Sequence, residues 1–197
     1  MVQASSTFFS EGPNRSGIRV WAPLVRQADD YTCGVAALQS VLHYYGHTIR
    51  ADRLAAALKA DPEQGTHYRR MATYAESHGL DVTIYTEMEI EALRKLLDRG
   101  VPVIVALQAW GDRGPDDYTD EWDDGHYVVA VGYDKERFYF MDPSTLGNYT
   151  YIPTGEFLTR WHDCYEEAGE IIRVARLGIA LHGAKVHYAR DRIIHMK

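Results

Sequence analysis

The sequence predicts an α+β fold in which a helical N-terminal part packs on a C-terminal antiparallel sheet. Helical hydrophobic spacing dominates up to about Arg99, extended apolar runs dominate afterwards, and neither a repeat nor a Pro/Gly/Ser-rich linker divides the chain. Its 197 residues, 46% of them hydrophobic, suffice for one sizeable core. We therefore expect one domain over residues 21–185, a mobile N-terminal segment over residues 1–20 and a C-terminal tail over residues 186–197.

Four helices are predicted in the first half of the chain. In the first, apolar residues recur at helical spacing from Cys33 to Tyr45, with Thr32 as a suitable N-cap and Gly46 as a suitable C-terminal stop. In the fourth, the apolar residues lie on one face, as expected of a helix that covers a core. The second, third and fourth helices are predicted at residues 51–60, 66–78 and 89–99.

Extended segments follow these helices. Strands are predicted at residues 81–86, 101–108, 126–133, 137–141 and 149–152. Because residues 133–136 form the turn of a hairpin, the strands that hold His126 and lead into Asp142 should be antiparallel neighbours. A short helix at residues 155–164 and a last strand at residues 171–181 complete the prediction.

Composition and charge exclude several classes of protein. A net charge of -7, a pI of about 5.7 and scattered basic residues argue against a general nucleic-acid binder. The longest apolar stretch, residues 101–109, is far shorter than the roughly 20 residues that span a bilayer, and the chain does not begin like a secretory signal. We therefore expect a cytoplasmic protein without a nucleic-acid or membrane partner, with free thiols at Cys33 and Cys164. The sequence does not indicate an oligomeric state.

Cys33 is the strongest candidate for chemistry. Because it opens the first predicted helix, the positive end of the helix dipole and the free backbone N–H groups favour its thiolate. The same N–H groups can face an oxyanion, and Gly34 lets a substrate approach closely. A cysteine considered alone is more often a small buried hydrophobic residue, so that alternative stays open here.

His126 and Asp142 complete a candidate triad. His126 begins a strongly apolar strand, so its ring can face a cleft at the mouth of that strand. Asp142 ends the next strand, and across an antiparallel hairpin it returns to the level at which His126 began. The carboxylate can then orient the imidazole that a thiol nucleophile requires. The run Asp-Pro-Ser is also a common turn, which is the simpler interpretation of Asp142 by itself.

Three motifs in this order resemble those of the C39 peptidase family, the double-glycine leader peptidases. They are QADDYTCGVAAL at residues 27–38, GHYVV at 125–129 and DPS at 142–144. The resemblance covers about residues 25–161 and implies a papain-like cysteine peptidase fold. It further implies that Cys33 is the nucleophile, His126 the general base and acid, and Asp142 the residue that orients the histidine. By the same analogy, Gln27 supplies a side-chain N–H to the oxyanion hole.

Two departures limit what this resemblance implies. Leader-processing members commonly carry Asp before the cysteine, where this chain has Thr32, and they sit at the start of an ABC transporter. The chain is similar to the freestanding branch, whose substrates are diverse. We therefore predict a thiol hydrolase that cleaves a peptide or other amide. An acyl or aminoacyl transferase with the same triad, and a catalytically idle domain that binds an extended peptide, are the alternatives.

The acidic segment at residues 112–124 directly precedes the histidine motif. It is either a solvated loop or a flap that selects a basic or amine-bearing substrate. The predicted strand order brings Gln108, Trp110 and Trp122 to the same cleft edge, so we assign these three residues, together with Gly34, to substrate binding.

No metal or other cofactor is predicted. The acidic segment lacks the ligand spacing of a calcium-binding loop. His162 and Asp163 have no further ligands at zinc spacing. Cys164 lies beside them on the predicted short helix, and we expect it to pack in the core without chemistry.

Overall fold

The computed structural model describes residues 17–110, 118–189 and Ile193, and it has an α+β architecture. The helices are α1 Cys33–Tyr44, α2 Ala51–Leu58, α3 Tyr68–Ser77, α4 Ile90–Asp98 and α5 Thr154–Arg160. The strands are β1 Asp81–Tyr85, β2 Val103–Gln108, β3 Gly125–Tyr133, β4 Arg137–Met141, β5 Thr150–Pro153, β6 His162–Glu167, β7 Glu170–Ala175 and β8 Gly178–His182. Among the described residues, no helix is both long and apolar enough to cross a bilayer.

Six of the strands form one antiparallel sheet in the order β1-β8-β2-β3-β4-β5, and β6 and β7 form a separate two-stranded sheet. The central strand β2 is buried along its whole length, because helices α4 and α5 contact it. The prediction of a helical N-terminal part packed on an antiparallel sheet is therefore confirmed.

Helix α1 is the central helix of the core. It contacts β3 of the sheet as well as α2 and α3. Its side chains Val35, Leu38, Val41 and Leu42 are at most 2% exposed. Full burial of each such side chain contributes roughly 1.5–3 kcal/mol. This packing fixes the N-terminal end of α1, and hence Cys33, relative to the start of β3.

The hairpin formed by β3 and β4 has the predicted antiparallel pairing. Val129 lies opposite Met141, and the register shifts by a bulge between Ala130 and Gly132. Asp142, which follows Met141, therefore comes level with the residue two positions after His126. Because side chains two positions apart lie on the same face of a strand, this pairing brings the carboxyl group towards the imidazole.

The prediction of one short helix at residues 155–164 is wrong. Helix α5 ends at Arg160, and the chain turns at Trp161 into strand β6. The buried indole of Trp161 stacks on Phe157 at 4.7 Å and donates its Nε1–H to the carbonyl of Leu177 at 2.9 Å. These tertiary contacts hold the turn, so Cys164 lies on a strand rather than on a helix.

The prediction of a single last strand at residues 171–181 is also wrong. The chain forms β7, changes direction at Arg176 with a φ of 53°, and then forms β8. Strand β7 pairs with β6, whereas β8 pairs with β1 and β2 of the large sheet. An apolar run shows no break where the chain passes from one sheet to another, so the pattern alone could not divide it.

Candidate active site

Cys33 is the first residue of α1, and the loop before it is tied down by Thr32. The Thr32 hydroxyl accepts the backbone N–H groups of Ala28 and Asp29 at 3.1 and 3.0 Å and donates to the carbonyl of Asp29. Thr32 is the N-cap residue as predicted, but its side chain makes no capping bond to the helix. The side chain of Thr32 therefore does not occupy the backbone N–H groups in the first turn of α1. These N–H groups and the positive end of the helix dipole can stabilise negative charge at the cysteine.

Gly34 is buried, and its missing side chain makes room for neighbouring residues. A Cβ at this position would lie 2.9 Å from Cβ of Thr66 and 3.1 Å from the ring of Tyr127. These distances are tighter than side-chain packing normally allows. Packing thus explains the glycine at position 34, because α1 lies closely against Thr66 and Tyr127.

His126 and Asp142 form a direct pair. Nε2 of His126 lies 2.8 Å from Oδ1 of Asp142. The carboxyl group also accepts the backbone N–H and the hydroxyl of Ser144 at 2.9 and 2.8 Å, and the hydroxyl of Thr145 at 3.0 Å. These bonds fix the carboxylate from behind, so Asp142 in turn fixes the plane of the imidazole ring.

In this pair, each group stabilises the charged form of the other. Burial lowers the pKa of His126, but hydrogen bonds to Asp142 and to Cys33, together with their charges, outweigh burial and raise it to about 9. Burial alone would raise the pKa of Asp142, yet the hydrogen bond and charge of His126 and the bonds from Ser144 lower it to about 2. At neutral pH the imidazole therefore carries a proton and the carboxyl group is ionised.

The imidazole links Asp142 to the cysteine. Nε2 of His126 is bonded to Asp142, and the interaction of the same ring with Cys33 is one of the causes that raise its pKa. The side chain of Cys33 is 7% exposed and that of His126 is 3% exposed. A thiol, an imidazole and a carboxylate in this sequence of contacts can carry out nucleophilic catalysis with general acid–base support.

Three pockets surround these residues. The Cys33 pocket, of about 500 Å³, is lined by Cys33, Thr66, Tyr127, Asp163, Cys164 and Tyr165 among others. The Gln27 pocket, of about 570 Å³, is lined by residues that include Gln27, Trp110 and Asp124. The His126 pocket, of about 260 Å³, is lined by residues that include Trp110, His126 and Asp142. Cys33 thus lines one of these pockets, and the pair of His126 and Asp142 lines another.

Gln27 precedes the cysteine and lines its own pocket. Its Nε2 donates to the carbonyl oxygens of Asp29 and Asp30 at 3.1 and 3.4 Å. Its Oε1 is buried and has no hydrogen-bond partner among the described atoms. The side-chain amide of Gln27 is therefore held against the loop that leads into α1 and Cys33.

The residues assigned to substrate binding at the cleft edge differ in position. Trp110 is 58% exposed, has a φ of 54° and lies with its ring centroid 5.0 Å from that of His126. Trp122 lines the Cys33 pocket, and the guanidinium of Arg173 lies 4.7 Å from its ring. Gln108, in contrast, is fully buried, where it donates to the carbonyl of His162 and accepts the N–H of Asp124. Two of the three can contact a substrate directly.

The acidic segment is described only in its second part, residues 118–124, so Asp116 and Asp117 lie outside the described residues. In the described part, Tyr118 is buried, and Arg160 lies 3.5 Å from its ring. Glu121 is buried as well, and its carboxyl group accepts the backbone N–H groups of the next two residues. This part is packed onto the domain, with Asp123 facing the Cys33 pocket.

Cys164 does not pack in the core as predicted. It lies on β6 and lines the Cys33 pocket, with its thiol donating to the carbonyl of Trp122 at 3.4 Å. Burial and the charges of Asp163 and Asp123 raise its pKa. The pattern analysis missed this position because it assigned the residue to a helix. Both cysteines are free, and they share one pocket.

Asp163 is a second site residue that the sequence did not single out for this role. Its carboxyl group lines the Cys33 pocket and accepts the backbone N–H of Cys164 at 2.8 Å. Burial raises its pKa to about 7, although the bonds from Cys164 and Gln108 act in the opposite direction. No signal in the sequence marks it, because its proximity to Cys33 depends on the β6–β7 hairpin folding back over β3.

Comparisons with known proteins find similar sequences and similar folds. The model of the family described as "Peptidase_C39 like family" matches residues 21–169. A Pseudomonas aeruginosa protein named "Probable functional amyloid protease FapD" is 31% identical over 151 residues, which cover 73% of this chain and 59% of that protein. The chain thus spans less than two thirds of the length of this relative.

Two solved structures share the fold. The peptidase domain of Streptococcus ComA, a bifunctional ABC transporter involved in quorum sensing, has a TM-score of 0.58 at 24% identity and covers 81% of this chain and 96% of its own. A double glycine motif protease from an AMS/PCAT transporter, in complex with the leader peptide, also has a TM-score of 0.58, at 22% identity, with 84% and 93% covered.

Proposed function

This chain belongs to the Peptidase_C39 like family, and we propose that it is a cysteine hydrolase that cleaves a peptide or other amide through an acyl-enzyme at Cys33. The single observation that carries the proposal is the chain of contacts at the triad. Nε2 of His126 lies 2.8 Å from Oδ1 of Asp142, and the same ring interacts with Cys33, at the start of α1, so that its pKa is raised.

The proposed reaction has two steps, acylation of Cys33 and hydrolysis of the resulting thioester. The Cys33 sulfur attacks the carbonyl carbon, and the resulting oxyanion is held by backbone N–H groups of α1. As the C–N bond breaks, protonated His126 gives its proton to the leaving nitrogen, and a thioester remains on Cys33. Water then attacks the thioester while His126 accepts its proton. Cleavage of the C–S bond releases the acid and restores the Cys33 thiolate beside protonated His126. Asp142 keeps the ring oriented and its charge balanced throughout.

The proposed pH dependence follows from His126. Since its pKa is raised to about 9, the imidazolium that protonates the leaving group is present below that pH and lost above it. We expect kcat/KM to fall as the pH rises through about 9. In Asp142→Asn the carboxylate that raises this pKa is gone, so the falling limb should move to lower pH. A pH series of kcat/KM for both proteins measures this shift, and an unmoved limb would assign it to another group.

The Asp142→Asn variant should also be milder than loss of the histidine. An amide oxygen can still accept the N–H of His126 and keep the ring oriented, so we expect some turnover to persist. If Asp142→Asn instead unfolds the domain, the bonds from Ser144 and Thr145 make this residue structural rather than catalytic.

Gln27 is proposed to contribute the second donor of the oxyanion hole. The support is its place on the loop before Cys33 and the length of one of its two bonds, since Nε2 donates to the carbonyl of Asp30 at 3.4 Å and this N–H can turn towards the cleft. Gln27→Ala should lower kcat by roughly 10²-fold. The rate of Cys33 alkylation by iodoacetamide serves as the control, because that reaction forms no oxyanion and should change little. Equal losses in both reactions would place Gln27 in the support of the loop instead.

The proposed substrate is a peptide, supported by the structural likeness to a protease seen with its leader peptide. A basic character of this substrate is supported by the carboxyl groups of Asp30, Asp123 and Asp163, which line the pockets around Cys33.

The free thiols support the proposed cytoplasmic location, where cysteines stay reduced.

Cleavage of a peptide library tests this function. Wild-type protein should generate new termini that the Cys33→Ala variant does not, and the residues around them would define the specificity. A domain that only binds peptides would generate none. If products appear only when an amine acceptor is added, the same triad serves acyl transfer instead.

A further inference from the structure

We propose that Asp163 makes the Cys33 pocket a binding site for a cationic group on the acyl part of the substrate. This inference rests on the proposed function and assigns a specificity-determining residue to it. The cationic group is an ammonium or guanidinium, carried either by a basic side chain or by a free N-terminal amine.

Asp163 lies directly beside the triad. A Cβ built on Gly125, the residue before His126, would be 2.4 Å from Oδ1 of Asp163, so only a glycine lets the carboxyl group approach the backbone here. The same carboxyl group lines the pocket that contains Cys33. A substrate bound to Cys33 therefore passes within reach of Asp163.

Asp163 has no Lys or Arg partner among the described residues, and the positive charge that acts on it is that of protonated His126. Among the ion pairs of the described residues, none joins a Lys or Arg to this carboxyl group, which is bonded instead by Cys164 N–H and Gln108. The one arginine that lines the pocket, Arg70, donates to the carbonyl groups of Leu58 and Lys59. Five further carboxyl groups line the pocket, those of Asp30, Asp61, Glu63, Asp123 and Glu166. Among the described lining residues, six carboxyl groups therefore stand against the single arginine Arg70.

Thr66 gives a second, independent sign of a ligand. It lines the same pocket, it is only 2% exposed, and its Oγ1 has no hydrogen-bond partner. Leaving a buried hydroxyl unpaired costs about 1–3 kcal/mol, so such groups normally have a partner. A donor on the bound substrate would supply it. Thr66 and Asp163 together offer an uncharged and a charged acceptor to one cationic group.

The geometry of the triad indicates which part of the substrate enters this pocket. The leaving group must lie where His126 can protonate it, and His126 lines a separate pocket with Trp110. The acyl part extends the other way from the cysteine sulfur, into the Cys33 pocket. Asp163 therefore acts on the half of the substrate that becomes bound as the thioester.

Alkylation of Cys33 by dipeptidyl chloromethyl ketones tests this inference without a known substrate. The cysteine sulfur displaces chloride and forms a C–S bond, and mass spectrometry gives the rate. One reagent set is N-acetylated and carries Lys or norleucine at the first or second residue from the ketone; another carries norleucine with a free N-terminal amine. Each rate is divided by the rate with iodoacetamide in the same protein.

We expect one cationic reagent to react at least about tenfold faster than its neutral counterpart, the size of a charge-assisted hydrogen bond in a buried site. A preference for Lys identifies a side chain, and a preference for the free amine identifies a chain terminus. In Asp163→Asn, which keeps the acceptor for Cys164 N–H, this ratio should fall to within about twofold of unity. The matched variant Glu63→Gln, at another lining carboxyl group, should retain the ratio.

Each other result is decisive. Equal rates for cationic and neutral reagents with the wild-type protein would overturn the inference but leave the proposed function standing. A preference that survives in Asp163→Asn would assign it to the other carboxyl groups. If Asp163→Asn fails to fold, Thr66→Val, which removes only the hydroxyl, should still reduce the cationic ratio severalfold. Absence of Cys33 alkylation by every reagent, iodoacetamide included, would overturn the proposed function instead.

Discussion

Cys33→Ala and His126→Ala should each reduce turnover by roughly 10³-fold or more while leaving the fold intact. Loss of the sulfur removes the atom that carries the acyl group, and loss of the imidazole removes both the base and the acid. Because the triad members act as one unit, the double variant should be hardly slower than either single variant. Turnover of a cleaved library peptide is the measurement.

The fold of these two variants should persist for a reason visible at the site. Without His126, the carboxyl group of Asp142 still accepts bonds from Ser144 and Thr145, so it is not left unpaired. Cys33→Ala removes one sulfur atom from a side chain that is not part of the main hydrophobic core. Circular dichroism and thermal unfolding check this. Cys164→Ala is the matched control and should keep its activity within about twofold, while retained turnover in Cys33→Ala would end the thiol mechanism.

The two cysteines should differ sharply in their reaction with limiting iodoacetamide at about pH 6, where an ordinary thiol is almost wholly protonated. Cys33 lies at a helix N-terminus and beside protonated His126, two sources of positive charge that should make its sulfur the more reactive one. Cys164 has the opposite surroundings, since burial and two nearby carboxyl groups raise its pKa. Peptide mapping should therefore find the label on Cys33 and little on Cys164.

This comparison is demanding because both thiols line the same pocket, so access alone does not distinguish them. In His126→Ala the rate of Cys33 labelling at about pH 6 should fall, because one of the two sources of positive charge beside its sulfur is gone. Equal labelling of both cysteines in the folded protein, or a disulfide between them, would contradict the nucleophile assignment and favour the peptide-binding alternative.

The local features of the site were readable from the sequence. The helix that begins at Cys33, the strand that begins near His126 and the hairpin that leads to Asp142 all follow from hydrophobic period and turn residues. These signals are local, since each depends on residues close together in the chain. The order of three motifs then indicated the family, which the match over residues 21–169 shows.

The errors fall where the chain leaves one sheet for another. Residues 155–181 were predicted as a helix and a strand, yet they form α5, the β6–β7 hairpin and β8. Stacking of Trp161 on Phe157 and the left-handed backbone at Arg176 decide these turns, and both depend on contacts that no period reveals. Because of this error, Cys164 is predicted in the core, and the position of Asp163 beside Cys33 is not predicted.

Residue types and their order along the chain were enough to predict the candidate triad: a cysteine at a helix start, a histidine at a strand start and a carboxylate one hairpin later. Only the tertiary structure decided what surrounds them. Hydrogen bonding and charge between Asp142, His126 and Cys33 raise the pKa of the histidine, and the β6–β7 hairpin brings Asp163 against Gly125. Electrostatic interactions and burial depend on distance in space, and distance in space between remote segments is fixed only by the packing of the whole fold.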